Sequence, residues 1–194
     1  MKKLTRDDLM SLEAYSEARD EFRTRMMAHK KNRVLKLGPN MSLHFEDRMI
    51  MQYQIQEMLR AEKIFDAAGI QEELDTYNPL IPDGHNWKAT LMIEYDDPAE
   101  RAEALKKLLG VEKQIWVQVA GHEKVFPVAD EDLERETEEK TSSVHFLRFE
   151  LTDDMVEDVK KNATLSIGVD HPFYSCQIDP LEDRYRNSLA GDLS

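Results

Sequence analysis

Apolar positions recur at helical spacing through the first third of the chain and switch to alternation beyond it. Thr5 and Asp8 have capping-box spacing ahead of Leu9, Met10 and Leu12, which predicts a helix beginning near Arg6. Phe22, Met26 and His29 predict a second helical stretch over Asp20–Asn32. Gly38, Pro39 and Asn40 then form a turn between the short runs Arg33–Leu37 and Met41–Phe45, the pattern of a hairpin. Asp47–Ala68 contains neither Gly nor Pro and reads as one long helix, with Gly69 as its stop.

Beyond a polar connection the chain runs one plan twice. Trp87–Tyr95 reads as a strand, Asp96 and Asp97 as caps before Pro98, Ala99–Leu109 as a helix, and Gln114–Val119 with Lys124–Val128 as a hairpin. In the second copy Val144–Leu151 is the strand, Thr152–Asp154 the cap, Met155–Asn162 the helix, and Thr164–Val169 with Phe173–Ile178 the hairpin. Glu94 thus parallels Glu150, and His122 parallels His171. Duplication and chance recurrence both give this pattern. The expectation is a single α+β domain over residues 1–194, with a helical preface over 1–75, β-α-β-β units over 86–128 and 143–178, and an acidic spacer over 129–142. The units form one mainly antiparallel sheet with helices packed on one face. The polar stretch Pro180–Ser194 is read as partly helical.

Charge narrows the partners. The 194 residues hold 26 Lys and Arg against 39 Asp and Glu, a formal charge of -13 that repels phosphate backbones and anionic lipid surfaces. Nucleic acid is not an expected partner. The basic positions Arg23, Arg25, Lys30, Lys31, Arg33 and Lys36 lack interleaved aromatic residues and read as one solvated helix face. The single cysteine, Cys176, allows no internal disulfide or Cys-based metal cage and points to a reducing, cytoplasmic setting. No run approaches the ~18 apolar residues of a membrane span, and no targeting segment is visible. The acidic run from Asp130 to Glu139 reads as a solvated segment or a docking face for a basic partner.

The motifs of the easy enzyme classes are absent: the sequence has no Gly-rich phosphate loop, nucleophile elbow, paired-His zinc helix or calcium loop. Ten methionines invite a copper reading, but Met49, Met51 and Met58 follow helical spacing as core filler, which sets copper aside. Candidate chemistry therefore comes from polar residues where the pattern expects apolar ones. At about 100° per residue, Met51, Ile55, Met58, Leu59 and Phe65 form the apolar side of the long helix, with Gln52, Gln56, Arg60 and Lys63 opposite. Glu62 projects into the Met51 stripe and Glu57 onto its flank. An inward carboxylate must meet an arginine, with Arg33, Arg48 and Arg148 as candidates, or act as a neutral acid, or bind a metal. His44 and Glu46 share one strand face, and His145 shares the apolar face of Leu147, Phe149 and Leu151. His44, Glu46, Glu57, Glu62 and His145 are the candidate ligands for iron, manganese or zinc. For His145 alone, a hydrogen-bonded core histidine is the plainer reading.

The segments Phe45-Glu46-Asp47-Arg48, Tyr53–Arg60 (YQIQEMLR), Tyr77–Gly84 (YNPLIPDG), Val144–Leu151 (VHFLRFEL) and Val169–Pro172 (VDHP) together resemble the bacterial domain-of-unknown-function family 3501, over Leu4 to about Leu189. The resemblance carries no activity and no catalytic residues. It implies a setting beside rubrerythrin-like di-iron proteins and iron–sulfur proteins, and hence oxidative-stress or electron-transfer chemistry. Two expectations follow. One is a non-enzymatic accessory or interaction protein whose partner is of the rubrerythrin-like or iron–sulfur type. The other is a metal-binding protein or oxidoreductase using the five candidate ligands. An exposed edge strand in the expected sheet favours a homodimer.

Overall fold

The hairpin after the first helix forms because Gly38 supplies a positive φ of 71° between β1 (Val34–Leu37) and β2 (Met41–Glu46). The computed structural model describes every residue except Met1, Glu134, Glu136 and Glu138, so the acidic run is described in part and those three glutamates lie outside it. Tyr174 reaches across to the hairpin turn. Its hydroxyl donates to Leu37 O at 2.6 Å and accepts from Asn40 N at 3.0 Å.

The preface differs from expectation at both ends. Thr5 and Asp8 do form a capping box, but it closes only a 3-10 turn at Arg6–Asp8. The two expected helices are one, α1 (Leu12–Lys30), started by Ser11 accepting from Ala14 N. The expected long helix is two. α2 (Arg48–Glu62) stops where Lys63 turns left-handed at φ 57°, and Asp66 caps α3 (Ala67–Tyr77) by accepting from Ala68 N and Gly69 N. Gly69 therefore opens a helix and stops none. The three helices bury Met26, Ile50, Met51, Ile55, Leu59 and Leu74 in a cluster of their own.

The strands divide into two antiparallel sheets where one was expected. β3 (Asn86–Ile93), β5 (Val128–Ala129) and β6 (Val144–Glu150) join the hairpin in the order β1-β2-β3-β6-β5. β4 (Ile115–Val119), β7 (Leu165–His171) and β8 (Tyr174–Ile178) form the second sheet in the order β4-β7-β8. The first strands of the two units pair with each other, Thr90 opposite Phe146, and the second strands do likewise, Val117 opposite Ile167. The third strands part company: β8 stays beside β7, whereas β5 crosses to β6. The expected hairpin at Ala120–Glu123 is reduced to one bridge, Val117 to Val125. Pro127, lacking an N–H, cannot extend that ladder, and the chain leaves for the other sheet just beyond it.

Alternation puts one face of each sheet into a shared core. Leu43, Phe45, Trp87, Leu91, Leu147 and Phe149 come from the larger sheet, with Ile115, Val117, Ile167 and Val169 from the smaller. The helices of the two units, α4 (Pro98–Lys107) and α5 (Asp153–Lys160), start on the expected caps: Asp97 accepts from Ala99 N and Glu100 N, and Thr152 from Met155 N. The tail is helical over α6 (Asp183–Ala190) and closes the core with Leu181, Leu189 and Leu193. Among the described residues, no helix is long and apolar enough to cross a membrane.

Candidate functional site

The five candidate ligands occupy distinct surroundings. On α2, Glu57 faces α1: Tyr15 Oη donates to Oε1 at 2.6 Å, and Arg19 donates through Nε at 2.7 Å and Nη2 at 2.8 Å. It is the arginine pair that the sequence allowed, formed with Arg19 in place of Arg33, Arg48 or Arg148. The guanidinium holds the Glu57 carboxyl down to about 2 despite partial burial, and burial together with Glu57 pushes the Tyr15 hydroxyl up. Glu62 is exposed, because α2 ends at that residue and its apolar stripe closes at Leu59. Phe65, expected on the same stripe, is 78% exposed. Gln56, expected outward, is fully buried and holds the backbone of Met10 through both its N–H and C=O.

His44 and Glu46 share the outer face of the larger sheet, as alternation predicts. Ser42 Oγ lies 2.9 Å from His44 Nε2 and donates to Glu94 Oε2 at 3.0 Å, while Thr90 Oγ1 donates to Glu46 Oε1 at 2.7 Å. Burial lowers the pKa of His44 and raises that of Glu46, against the Thr90 hydrogen bond. His145 is on the opposite, core-facing side and fully buried. Its Nδ1 meets Asp130 Oδ2 at 2.6 Å, and Nε2 meets Thr141 Oγ1 at 2.9 Å and Ser142 O at 3.1 Å. This is the hydrogen-bonded core histidine. Among the described residues, no three His, Cys, Asp or Glu side chains gather to hold a metal ion.

The outer sheet face instead borders a cavity of about 700 Å³ between β3, β6 and the end of α3. Tyr77, Leu80 and Phe146 give it apolar wall, and Lys88, Arg135 and Arg148 give it charge. Each cation is fixed. Lys88 Nζ donates to Pro79 O, and Arg148 grips Glu131 through Nε and Nη2, both at 2.7 Å. Arg135 grips Asp132 and stacks 4.6 Å over the Phe146 ring. Burial and the neighbouring Arg148 lower the pKa of Lys88. The acidic spacer is thus tied to the sheet by its own ion pairs where it is described.

A family model described as "Protein of unknown function (DUF3501)" matches residues 3–193. The chain belongs to this family. A crystal structure of a novel protein of unknown function from Burkholderia pseudomallei is 51% identical, covers 100% of each chain and superposes with a TM-score of 0.93. No curated protein matches.

In this DUF3501 chain a second polar centre escaped the sequence reading. Arg33, expected on a solvated helix face, is 1% exposed in the connection between α1 and β1. Its guanidinium donates to Phe45 O, Glu46 O, Ser188 O and Asp192 Oδ2, the last at 2.5 Å, and lies 3.3 Å from Asp47 Oδ2. Asp47 also caps α2 through Ile50 N and meets His29 Nε2 at 2.5 Å. Burial raises the Asp192 carboxyl to about 6 against the pull of Arg33. The only local signal was a capping Asp at position 47. Asp192 is 159 residues from Arg33, beyond any spacing argument. In this chain the cluster joins the N-terminal hairpin to the tail of the fold.

Proposed function

We propose that this chain is a non-enzymatic accessory protein of a bacterial redox or oxidative-stress system, and that a partner of the rubrerythrin-like or iron–sulfur type seats a segment in the cavity beside β3 and β6. The observation that carries the reading is the composition of that cavity. Tyr77, Leu80 and Phe146 offer apolar contact, and fixed Lys88, Arg148 and Glu131 offer a rim of both signs, the make-up of a protein-binding site. The exposed Asp75, Thr76 and Pro79 leave it open to an approaching chain. The redox setting rests on the family resemblance. The competing reading, an iron, manganese or zinc protein, has less support, since Glu57, Glu46 and His145 each have hydrogen-bond partners of their own.

The test is co-purification of the tagged chain from its native cell, followed by titration with the purified candidate partner. The expected result is a complex with a rubrerythrin-like or iron–sulfur protein that Thr76→Arg weakens at least about tenfold, or 1.4 kcal/mol. Thr76 is exposed on α3, so the substitution fills the cavity mouth without entering the core. Repeated recovery of the chain alone, or binding indifferent to Thr76→Arg, would overturn the reading. Elemental analysis of protein purified without chelator addresses the competing one: near-stoichiometric iron, manganese or zinc would favour it.

A further inference from the structure

The strands at the margins of the two sheets are blunted, with one exception. β5 has two residues and follows Pro127, β4 is bridged by Val125, and β1 is four residues long and carries Lys36. β8 is five residues, Tyr174–Ile178, in an unbroken register with β7 and with no charge and no proline. Native proteins protect sheet edges with short strands, charges and prolines, and an edge without them is a template for another strand.

The direction of the free groups on β8 follows from the ladder on its other side. In an antiparallel strand both backbone groups of a residue point to one side, and that side alternates along the chain. Asp170 N donates to Gln114 O and Ala120 N donates to Thr164 O, so the even-numbered residues from Thr164 to Asp170 address β4. Ile167, Val169 and His171 therefore address β8, where Ile178, Cys176 and Tyr174 stand opposite them. Ser175 and Gln177 are left with N–H and C=O pointing away from β7. Both residues are exposed, and among the described residues nothing bonds to those groups.

We propose that β8 pairs antiparallel with β8 of a second copy of this chain about a two-fold axis at Cys176, joining the two three-stranded sheets into one. Opposed side chains in such a pair share a face, so a two-fold normal to the sheet sets some residue against its own copy. Centred on Cys176, Ser175 of each copy opposes Gln177 of the other, and every outward donor and acceptor is used. Centred on Ser175 or on Gln177, the other of the two runs past the strand, to Phe173 or Asp179 respectively. On the inner face Tyr174 and Ile178 flank Cys176, all three packed against the core, and each meets the other's counterpart across the axis. A formal charge of -13 repels a copy over most of the surface, whereas this strip carries no charge to oppose the approach. The edge shares no residue with the proposed partner site.

Sedimentation equilibrium of the full chain should show a dimer with a dissociation constant below about 100 µM. Ser175→Glu combined with Gln177→Glu sets like charges opposite each other at both contacts and should weaken the dimer at least about tenfold. Ser175→Lys combined with Gln177→Glu sets opposite charges there and should restore it. Both side chains are exposed, so each variant should keep the circular dichroism of the wild type. Mild oxidation with diamide reads the register. Cα atoms about 4.5 Å apart at the axis are within disulfide reach, so Cys176 should cross-link between copies, and far more slowly in the like-charge variant. A chain that stays monomeric to about 1 mM, a dimer as tight in the like-charge variant, an opposite-charge variant no tighter than the like-charge one, or a dimer that does not cross-link would overturn the proposal. Wild-type sedimentation and cross-linking decide even if a variant fails to fold.

Discussion

Glu57 and Glu62 lie on one helix and meet opposite circumstances. A projection at about 100° per residue turns both toward the apolar stripe, but it takes no account of where the helix stops. Glu57, in mid-helix, meets Tyr15 and Arg19 of α1, whereas Glu62 is the last helical residue and faces water. The depressed carboxyl of Glu57 gives the pair a pH signature. Its ordinary value is 4.5 and its folded value about 2, so the contribution is complete above the first and lost as pH falls through the second. Glu57→Gln should lower the urea midpoint most near neutral pH, and the gap to wild type should close on acidification toward pH 2. A gap constant with pH would show that the pair does not act through charge. His145 was legible for a simple reason: Leu147, Phe149 and Leu151 share its face by alternation. Its hydrogen-bond partner Asp130 was not, because it belongs to a segment whose acidic composition reads as solvated.

At the scale of elements, caps and turns carried most of the readable information. Asp97, Thr152 and the Gly38 turn all act where the sequence places them, because each satisfies backbone groups within a few residues of itself. Pairing between strands does not announce itself this way. Lys124–Val128 has the alternation of a hairpin arm, yet only Val125 bridges β4, and Val128, beyond Pro127, already pairs in the other sheet. The break between α2 and α3 was hidden because Lys63 adopts the left-handed conformation without being Gly or Asn. The hairpin turn provides the element-scale prediction. A Cβ on Gly38 would lie 2.6 Å from the Tyr174 hydroxyl, on a residue whose φ already disfavours side chains. Gly38→Ala should destabilise the fold by roughly 1–3 kcal/mol, measured by chemical denaturation. Combining it with Tyr174→Phe, which removes the crowding hydroxyl, should cost less than the sum of the two single changes.

For the molecule as a whole, two structural units pair through their first and second strands, and the N-terminal helices and C-terminal tail lock the result. Neither the division into two sheets nor the lock follows from local pattern, since both depend on contacts far apart in the chain. Arg33 joins these parts, with acceptors on β2, at the start of α2 and along α6 and its exit. Arg33→Leu would strand Asp47 and Asp192 as buried acids without their shared cation. Global stability should fall by roughly 3–5 kcal/mol, seen as a lower urea midpoint for probes on the hairpin and on the tail together. Loss at one probe alone would mean that the two ends are not coupled through this residue.

The same ion pair bears on how the chain is made. Translation delivers Arg33 early and Asp192 only 159 residues later, so for most of synthesis the guanidinium has no counter-ion from the tail and the hairpin cannot be sealed in its final environment. Nascent chains arrested before Asp192 emerges should remain open to protease around the hairpin, and resistance should arrive late and in one step. A chain stopped short of Asp192 would keep Asp47 beside Arg33 but lack the second carboxylate, the one that ties the hairpin to the tail.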